Sequence, residues 1–344
     1  MRQNGISEYR AELMAISMLA ILLTHLKASF GVYALDRVAL LCQGGVDVFL
    51  FLSGFGLYYS GMKSDNLLRF YSKRFKRIFP SFWVVMLLTF WLIDKLHWPN
   101  VLWGGSTLAF WFQSTNKYSF GWFVSLIVVL YAVFPWFFRL FRKHPKIATL
   151  FGVGVGLLLT GMYVYRYQVV YPGGQNRFIL PAARVAIFFL GVYGAHWLVT
   201  EKETSETVKR KEKWLLVSVA LVGLLFLNLA LNAWGFRTMR NTGLLYWSYV
   251  LIIPGFLIAC VWMFQKMRAT SIGNQILNVL KHLGGCTLEA YLLIAVTYSY
   301  VPLVSRQLGI SPLASNLLLL VATVVAAWIT HRVVDGIMRK AKLL

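Results

Sequence analysis

Charged residues are scarce in this chain, at 13% of its 344 residues, whereas hydrophobic residues make up 58%. A soluble globular domain carries about 25% charged residues, so this composition excludes a soluble fold. The mean hydropathy of +0.64 is typical of a protein that lies mostly within a lipid bilayer. We therefore expect an all-α fold, a polytopic membrane helix bundle that forms a single integral domain over residues 1–344.

Cysteine is also scarce, and the three cysteines lie in or beside apolar stretches without a CxxC spacing: Cys42, Cys260 and Cys286. This pattern predicts buried small side chains and excludes both a disulfide framework and a zinc site. The chain also lacks a GxSxG nucleophile elbow, a phosphate-binding glycine loop and an HExxH metal motif. We expect neither a metal site nor a bound cofactor.

Acidic residues are few, with 12 Asp and Glu against 34 Lys and Arg, which gives a net charge of +22. In a soluble protein this excess would suggest nucleic acid as a partner. Here the basic residues cluster in alternate loops between apolar stretches, which is the pattern that orients a membrane protein. The expected partner of these charges is the lipid bilayer, and no nucleic acid is expected.

Ten apolar stretches are long enough for a membrane-spanning helix, which needs about 20 residues. A shorter, glycine-rich stretch at 99–113 is expected to be interfacial or re-entrant. The GVGVG run in the fifth stretch predicts close helix packing through Gly152 and Gly156. Ten spans place both termini on one side, and the basic loops predict that this side is cytoplasmic. The predicted spans are 11–33, 44–62, 78–97, 120–138, 147–166, 178–199, 214–233, 244–264, 286–305 and 312–334.

His25 lies inside the first apolar stretch, where an ionisable side chain is costly unless it is paired or faces a polar cavity. In a helix it lies about 22 Å from Arg10, which places it in the outer half of the bilayer if Arg10 marks the inner interface. Asp47 begins the second stretch at a similar depth. A carboxylate that orients an imidazole is a common general-base arrangement, so these two residues are the expected catalytic pair. The alternative for His25 is a structural hydrogen bond to a backbone carbonyl or a water.

A basic cluster at residues 69–77 follows the second stretch. Arg74 and Arg77 are three residues apart and share a face on a helix, and guanidinium groups suit bidentate recognition of phosphate. We expect them, together with Arg69, to bind a phosphorylated cytoplasmic donor such as a coenzyme A thioester. The alternative is plain anchoring at the inner surface of the membrane. Pro80 is expected to start or kink the next helix.

Four more charged side chains lie within or near the predicted spans. Arg10 and Glu12 lie near the inner end of the first span, Glu289 near the inner end of the ninth, and Arg184 deeper in the sixth. At that depth Arg184 needs a partner, and one of the carboxylates is expected to pair with it, for catalysis or for stability. Glu289 is a candidate catalytic residue, and the other three are candidate supporting residues. The remaining histidines are expected to be interface residues at loop ends: His97, His144, His196, His282 and His331.

Five motifs occur in a fixed order: the early histidine, GVDVFLFLSGFG, KRFKRIFP, FGWFVSLIVVLYAVFP and, near the end, TLEAYLL. This order resembles the acyltransferase 3 family of ten-helix bacterial membrane acyltransferases, over residues 8–140 and again near 280–335. The middle third is compatible in its hydropathy alone. In this resemblance the family's essential histidine maps to His25, and its Arg-x-x-Arg pair, which meets the acyl-CoA, maps to Arg74 and Arg77.

The resemblance implies transfer of an acyl group, usually acetyl from acetyl-CoA, to hydroxyls of a surface polysaccharide or a related lipid-linked glycan. It also implies a multi-pass protein of the bacterial inner membrane. Two positions depart from the family pattern. Met14 stands where the family often has an arginine, with Arg10 as the expected substitute, and Ile294 stands where many relatives have a histidine.

Two other functions stay open on this sequence. One is a transporter or flippase that moves an acyl group or a glycan without chemistry, because intramembrane charges also suit transport pathways. The other is a non-catalytic subunit of a polysaccharide export system, for which only the net charge of the basic cluster would matter.

Overall fold

The computed structural model describes residues 5–25, 30–94, 98–112, 121–170, 177–200, 206–297 and 300–340. Over these ranges the chain is almost entirely helical and contains no β-strand, which confirms the all-α prediction. The α-helices are, in chain order, α1 (Gly5–Glu8), α2 (Arg10–Thr24), α3 (Tyr33–Leu41), α4 (Gly45–Lys63), α5 (Leu67–Asp94), α6 (Trp98–Gly105), α7 (Ala109–Phe112), α8 (Trp122–Lys143), α9 (Pro145–Tyr165), α10 (Ile179–Ala182), α11 (Val185–Thr200), α12 (Glu206–Asn241), α13 (Leu244–Arg268), α14 (Ser271–Gly285), α15 (Thr287–Thr297), α16 (Val301–Leu308) and α17 (Pro312–Lys340).

Seven helical segments of the described chain are long and apolar enough to cross a membrane, which confirms a polytopic helical membrane protein. They coincide with seven of the ten predicted spans. The other three predicted spans fall on α2, which has 15 residues, on α5, and on the short helices α15 and α16. The seven are Tyr33–Lys63, Trp122–Lys143, Pro145–Val170, Ile179–Thr200, Arg210–Asn241, Leu244–Arg268 and Pro312–Lys340.

The basic cluster at 69–77 belongs to α5, which runs through Pro80 without interruption. Of the two alternatives for Pro80, a helix start is therefore wrong, and a kink remains a prediction. Helix α5 begins earlier because Asn66 caps it, with its side-chain oxygen accepting the backbone N–H of Arg69 at 2.8 Å. As a consequence, the whole basic cluster lies on the same helix as the apolar residues that follow it.

Two short helices lie in the described part of the stretch predicted at 99–113, α6 with eight residues and α7 with four. Both are too short to cross a bilayer, so neither is a full span, and an interfacial or re-entrant position remains a prediction. The indole of Trp83 in α5 donates to the carbonyl oxygen of Gly105 at 3.1 Å. Gly104 lies against the ring of Phe90, so α6 packs along α5.

The helices group into two compact units. The first comprises Met1–Leu13, Val46–Asp65 and Val133–Asn278, and the second comprises Met14–Gly45, Asn66–Ala132 and Val279–Leu344.

Glycines bring the helices of the first unit close together. A Cβ added at Gly54 of α4 would collide with the backbone carbonyl of Phe188 in α11. On α9, Gly152 lies against the ring of Phe189, and Gly156 lies against the backbone of α11. This confirms that the GVGVG run packs helices, because only a residue without a side chain permits such an approach.

In the second unit, α5, α15 and α17 pack on one another. The hydroxyl of Thr297 in α15 lies 2.8 Å from that of Thr323 in α17. Near the start of α8, the ring of Phe123 lies 5.2 Å from that of Tyr291 in α15, measured between centroids. These contacts hold α15 against α17 and against α8.

Candidate active site

His25 directly follows the last residue of α2, and its side chain is exposed. Its Nδ1 lies 2.8 Å from the carbonyl oxygen of Ile21 and 3.2 Å from the hydroxyl oxygen of Thr24. The Thr24 hydroxyl donates its only hydrogen to the same carbonyl, at 2.8 Å, so toward His25 it can only accept. Nδ1 therefore carries the hydrogen of the neutral imidazole, and Nε2 carries the lone pair. This backbone bond is the contact that the structural alternative for His25 predicts. The same tautomer has its basic nitrogen at Nε2, which can take a proton from a substrate hydroxyl.

Asp47, which was expected to orient His25, has Arg184 as its partner. Nε of Arg184 donates to a carboxylate oxygen of Asp47 at 3.1 Å, and both side chains are 1% exposed. The guanidinium carbon of Arg184 also lies 4.1 Å from the ring centroid of Tyr246. The carboxylate partner predicted for Arg184 is thus Asp47. The His25 ring is held by the Ile21 carbonyl and not, as predicted, by Asp47. A catalytic role for Asp47 remains a prediction, whereas its contacts are those of a structural ion pair.

Arg74 and Arg77 lie on one face of α5, as expected from their spacing. The half-buried guanidinium of Arg74 lies 5.3 Å from the ring centroid of Phe70 and 5.7 Å from that of Tyr131. Burial lowers the pKa of the Arg74 guanidinium, Tyr131 opposes this shift, and the nearby positive charge of Arg77 adds to it. Arg77 and Arg69 are exposed. Because arginine stays protonated at neutral pH, two such neighbours favour an anionic ligand between them.

Arg10 and Glu12 lie in the first turn of α2. The guanidinium of Arg10 donates to the carbonyl oxygen of Leu52 at 3.3 Å. A Cβ at Gly56 would lie 3.2 Å from the same guanidinium, so the SGFG end of the second motif leaves room for Arg10. Glu12 is 7% exposed, and its Oε2 has no hydrogen-bond partner among the described residues.

Glu289 lies in the first turn of α15 and is held by two other helices. Its Oε1 accepts a hydrogen bond from the Ser81 hydroxyl of α5 at 2.6 Å and lies 3.1 Å from Nδ1 of His331 in α17. Because an ionised carboxylate can only accept, Nδ1 of His331 is the donor. Oε2 of Glu289 is buried and has no hydrogen-bond partner within the described ranges. The imidazole is 33% exposed and the carboxylate 5%, so the histidine is the accessible member of the pair.

His331 was expected to be an interface residue, and that expectation is wrong. It lies within a predicted span, 312–334, so the argument that singled out His25 applies to it equally. The contact with Glu289 joins residues 42 positions apart on different helices, which no local pattern reveals. Ser81 gave no signal in the sequence. His97 lies outside the described residues.

No group of three or more His, Cys, Asp or Glu side chains in the described part of the chain is arranged to hold a metal ion. Two histidines and one carboxylate can donate or accept protons, and a pair of arginines can bind phosphate.

A family model described as an acyltransferase domain matches residues 13–332. The match includes the middle third of the chain, where the resemblance depended on hydropathy alone. The chain has no significant match among curated proteins or among solved structures. Since the family match covers far more than half of its length, the chain belongs to the acyltransferase 3 family of membrane acyltransferases.

Proposed function

We propose that this membrane acyltransferase moves an acetyl group from cytoplasmic acetyl-CoA to a hydroxyl of a surface polysaccharide or a lipid-linked glycan. The observation that carries the proposal is the tautomer of His25, whose Nδ1–H is held by the Ile21 carbonyl and whose Nε2 is the basic nitrogen. Family membership supports acyl transfer as the reaction. The basic loops support inside termini, and the resemblance supports the bacterial inner membrane as the location.

The donor site we propose is the Arg74 and Arg77 face of α5. Bidentate guanidinium contacts suit the phosphate groups of a coenzyme A thioester, and the half-buried position of Arg74 strengthens them relative to a surface site. The exposed Arg69 lies further toward the start of the helix and can add a third contact. A cytoplasmic position for this face follows from the positive-inside pattern of the basic cluster.

The base we propose is Nε2 of His25. It takes the proton of the acceptor hydroxyl as the hydroxyl oxygen attacks the carbonyl carbon of the thioester. The new carbon–oxygen bond forms, the carbon–sulfur bond breaks, and its electron pair goes to the sulfur. General-base catalysis of this kind contributes about 10²- to 10⁴-fold in rate. Helix α2 is continuous from Arg10 to Thr24, so it holds the base about 22 Å from the Arg10 end.

Thiol release from acetyl-CoA by the detergent-purified protein, with water in place of the acceptor hydroxyl, tests this proposal. His25→Ala should lower the rate at least about 100-fold, because the base is removed. His144→Ala is the matched control, since His144 is exposed just before α9, and it should leave the rate unchanged. Both variants should melt at the temperature of the wild type.

Full activity in His25→Ala would remove the central step of the proposal. A wild-type protein that binds acetyl-CoA without releasing thiol would instead favour the transporter or flippase function.

A further inference from the structure

The mechanism above leaves a second histidine and its carboxylate unused. His331, Glu289 and Ser81 come from three helices of the second unit and meet at one carboxylate oxygen. Glu289 is buried, and its other carboxylate oxygen has no hydrogen-bond partner in the described chain. A buried carboxylate in a membrane helix costs free energy, so such a group is expected to have a function.

The two nitrogens of His331 differ in their surroundings. Nδ1 donates to Glu289, whereas Nε2 has no hydrogen-bond partner among the described residues and lies 3.7 Å from the position of a Cβ on Gly285. Gly285 has no side chain, so no side chain of that residue covers Nε2. A carboxylate on Nδ1 fixes the tautomer and stabilises the protonated ring, so that Nε2 is the nitrogen that exchanges protons.

Helix α5, which contributes Ser81 to this cluster, also carries the proposed donor site. Arg74, Arg77 and Ser81 are spaced by three and four residues on the continuous helix α5, so they form one stripe. From Arg74 to Ser81 the helix rises about 10 Å. A thioester whose phosphates lie on the arginines therefore has the carboxylate–imidazole pair further along the same face.

Release of the thiol from the donor requires a proton at the sulfur atom. When the carbon–sulfur bond breaks, the charge falls on a thiolate, and an ordinary thiol has a pKa of about 8.5. A thiolate within a membrane bundle is further disfavoured by the low dielectric of its surroundings. An acid close to the sulfur removes this charge as it forms.

We infer that His331, held by Glu289, donates a proton from Nε2 to the leaving thiolate of acyl-CoA. The inference rests on the function proposed above. The electron pair of the carbon–sulfur bond goes to the sulfur, which takes the proton of the imidazolium. The neutral His331 then regains a proton from water, and His25 releases to water the proton that it took from the acceptor hydroxyl, so the protons balance.

Ser81 is a positioning residue in this scheme, because it acts through Glu289. The charged groups that act on His331 are Glu289 of α15 and, on its own helix, Asp335 and Arg332. Asp335 is also paired with Arg339, at 3.1 Å, so Glu289 is the carboxylate committed to the ring.

Two donors with different leaving groups test the inference on the purified full-length protein. His331→Gln keeps a donor for Glu289 but cannot transfer a proton. It should lower kcat/KM for thiol release from acetyl-CoA about 100-fold or more. With phenyl thioacetate, whose thiol is far more acidic, the same variant should lose only a few-fold, because that anion leaves without an acid. His25→Ala should lose activity with both donors.

Equal losses with both donors in His331→Gln would show a structural role and overturn the inference. Unchanged activity with acetyl-CoA in His331→Gln, beside an inactive His25→Ala, would overturn the inference and leave the proposed function standing. A wild type that releases no thiol from acetyl-CoA would overturn both. If His331→Gln does not fold, a series of thioesters on the wild type decides. Rates that depend weakly on thiol acidity support proton donation, and rates that depend steeply on it refute it.

Discussion

Removing one partner of the buried ion pair between Asp47 and Arg184 should strongly lower the free energy of unfolding. Both side chains are 1% exposed and 3.1 Å apart, so neither charge can be hydrated once the other is removed. Asp47→Leu should therefore lower the free energy of unfolding by about 3–5 kcal/mol. Arg184→Met should cost a similar amount plus about 2 kcal/mol, because it also removes the cation–π contact with Tyr246.

The double variant Asp47→Leu/Arg184→Met separates the charge effect from the packing effect. Removing both charges leaves no unpaired ion, so the loss should fall to about 2 kcal/mol, the contribution of the Tyr246 contact. Unfolding in mixed detergent measures each free energy. Arg142→Met is the control, because Arg142 and Asp65 form an exposed pair at 2.8 Å that should contribute less than about 1 kcal/mol.

Two outcomes would refute this reasoning about stability. One is a pair of single variants that lose no more than the Arg142 control. The other is a double variant that loses the sum of the two single losses, since that result would mean that the charges do not interact. Thiol release from acetyl-CoA by the same double variant tests the role predicted for Asp47. Retained activity would assign Asp47 to stability, and lost activity in a folded protein would assign it to catalysis.

Two further predictions concern the donor site and the helix packing. Arg74→Lys/Arg77→Lys should weaken acetyl-CoA binding about tenfold, measured by calorimetric titration, because a lysine cannot make the bidentate contacts that contribute about 1.5 kcal/mol or more. Gly54→Ala should lower the free energy of unfolding by about 1–3 kcal/mol or more, measured in detergent, because its Cβ collides with the backbone of α11.

Each of these predictions has a control on the same surface or fold. Lys73→Gln removes an exposed charge from the basic cluster and should leave acetyl-CoA binding nearly unchanged. Equal weakening by Lys73→Gln would mean that net charge alone matters, as in the export-subunit alternative. A Cβ at Gly154 meets no atom within 4 Å, so Gly154→Ala should be neutral or slightly stabilising. Similar losses at Gly54 and Gly154 would contradict the packing argument.

Hydropathy predicted the helical membrane class but was less accurate on individual spans. Hydropathy depends on composition and length, and the stretches predicted at 147–166 and 244–264 lie in helices that are long and apolar enough to span a membrane. It does not show that α2 ends after 15 residues, or that α5 starts at Leu67, directly after its cap Asn66, and continues through Pro80. Those boundaries depend on capping and on packing against neighbouring helices, which a window average omits.

The sequence by itself determined the fold class and the family, and it singled out His25, Glu289 and the Arg74–Arg77 pair as candidate functional residues. These follow from residue type and from spacing along one helix. Only the tertiary structure decided the partners, pairing Asp47 with Arg184 and Glu289 with His331. A side chain's partner depends on how separate helices are rotated and packed, which brings together residues 137 and 42 positions apart and leaves no mark on the local sequence.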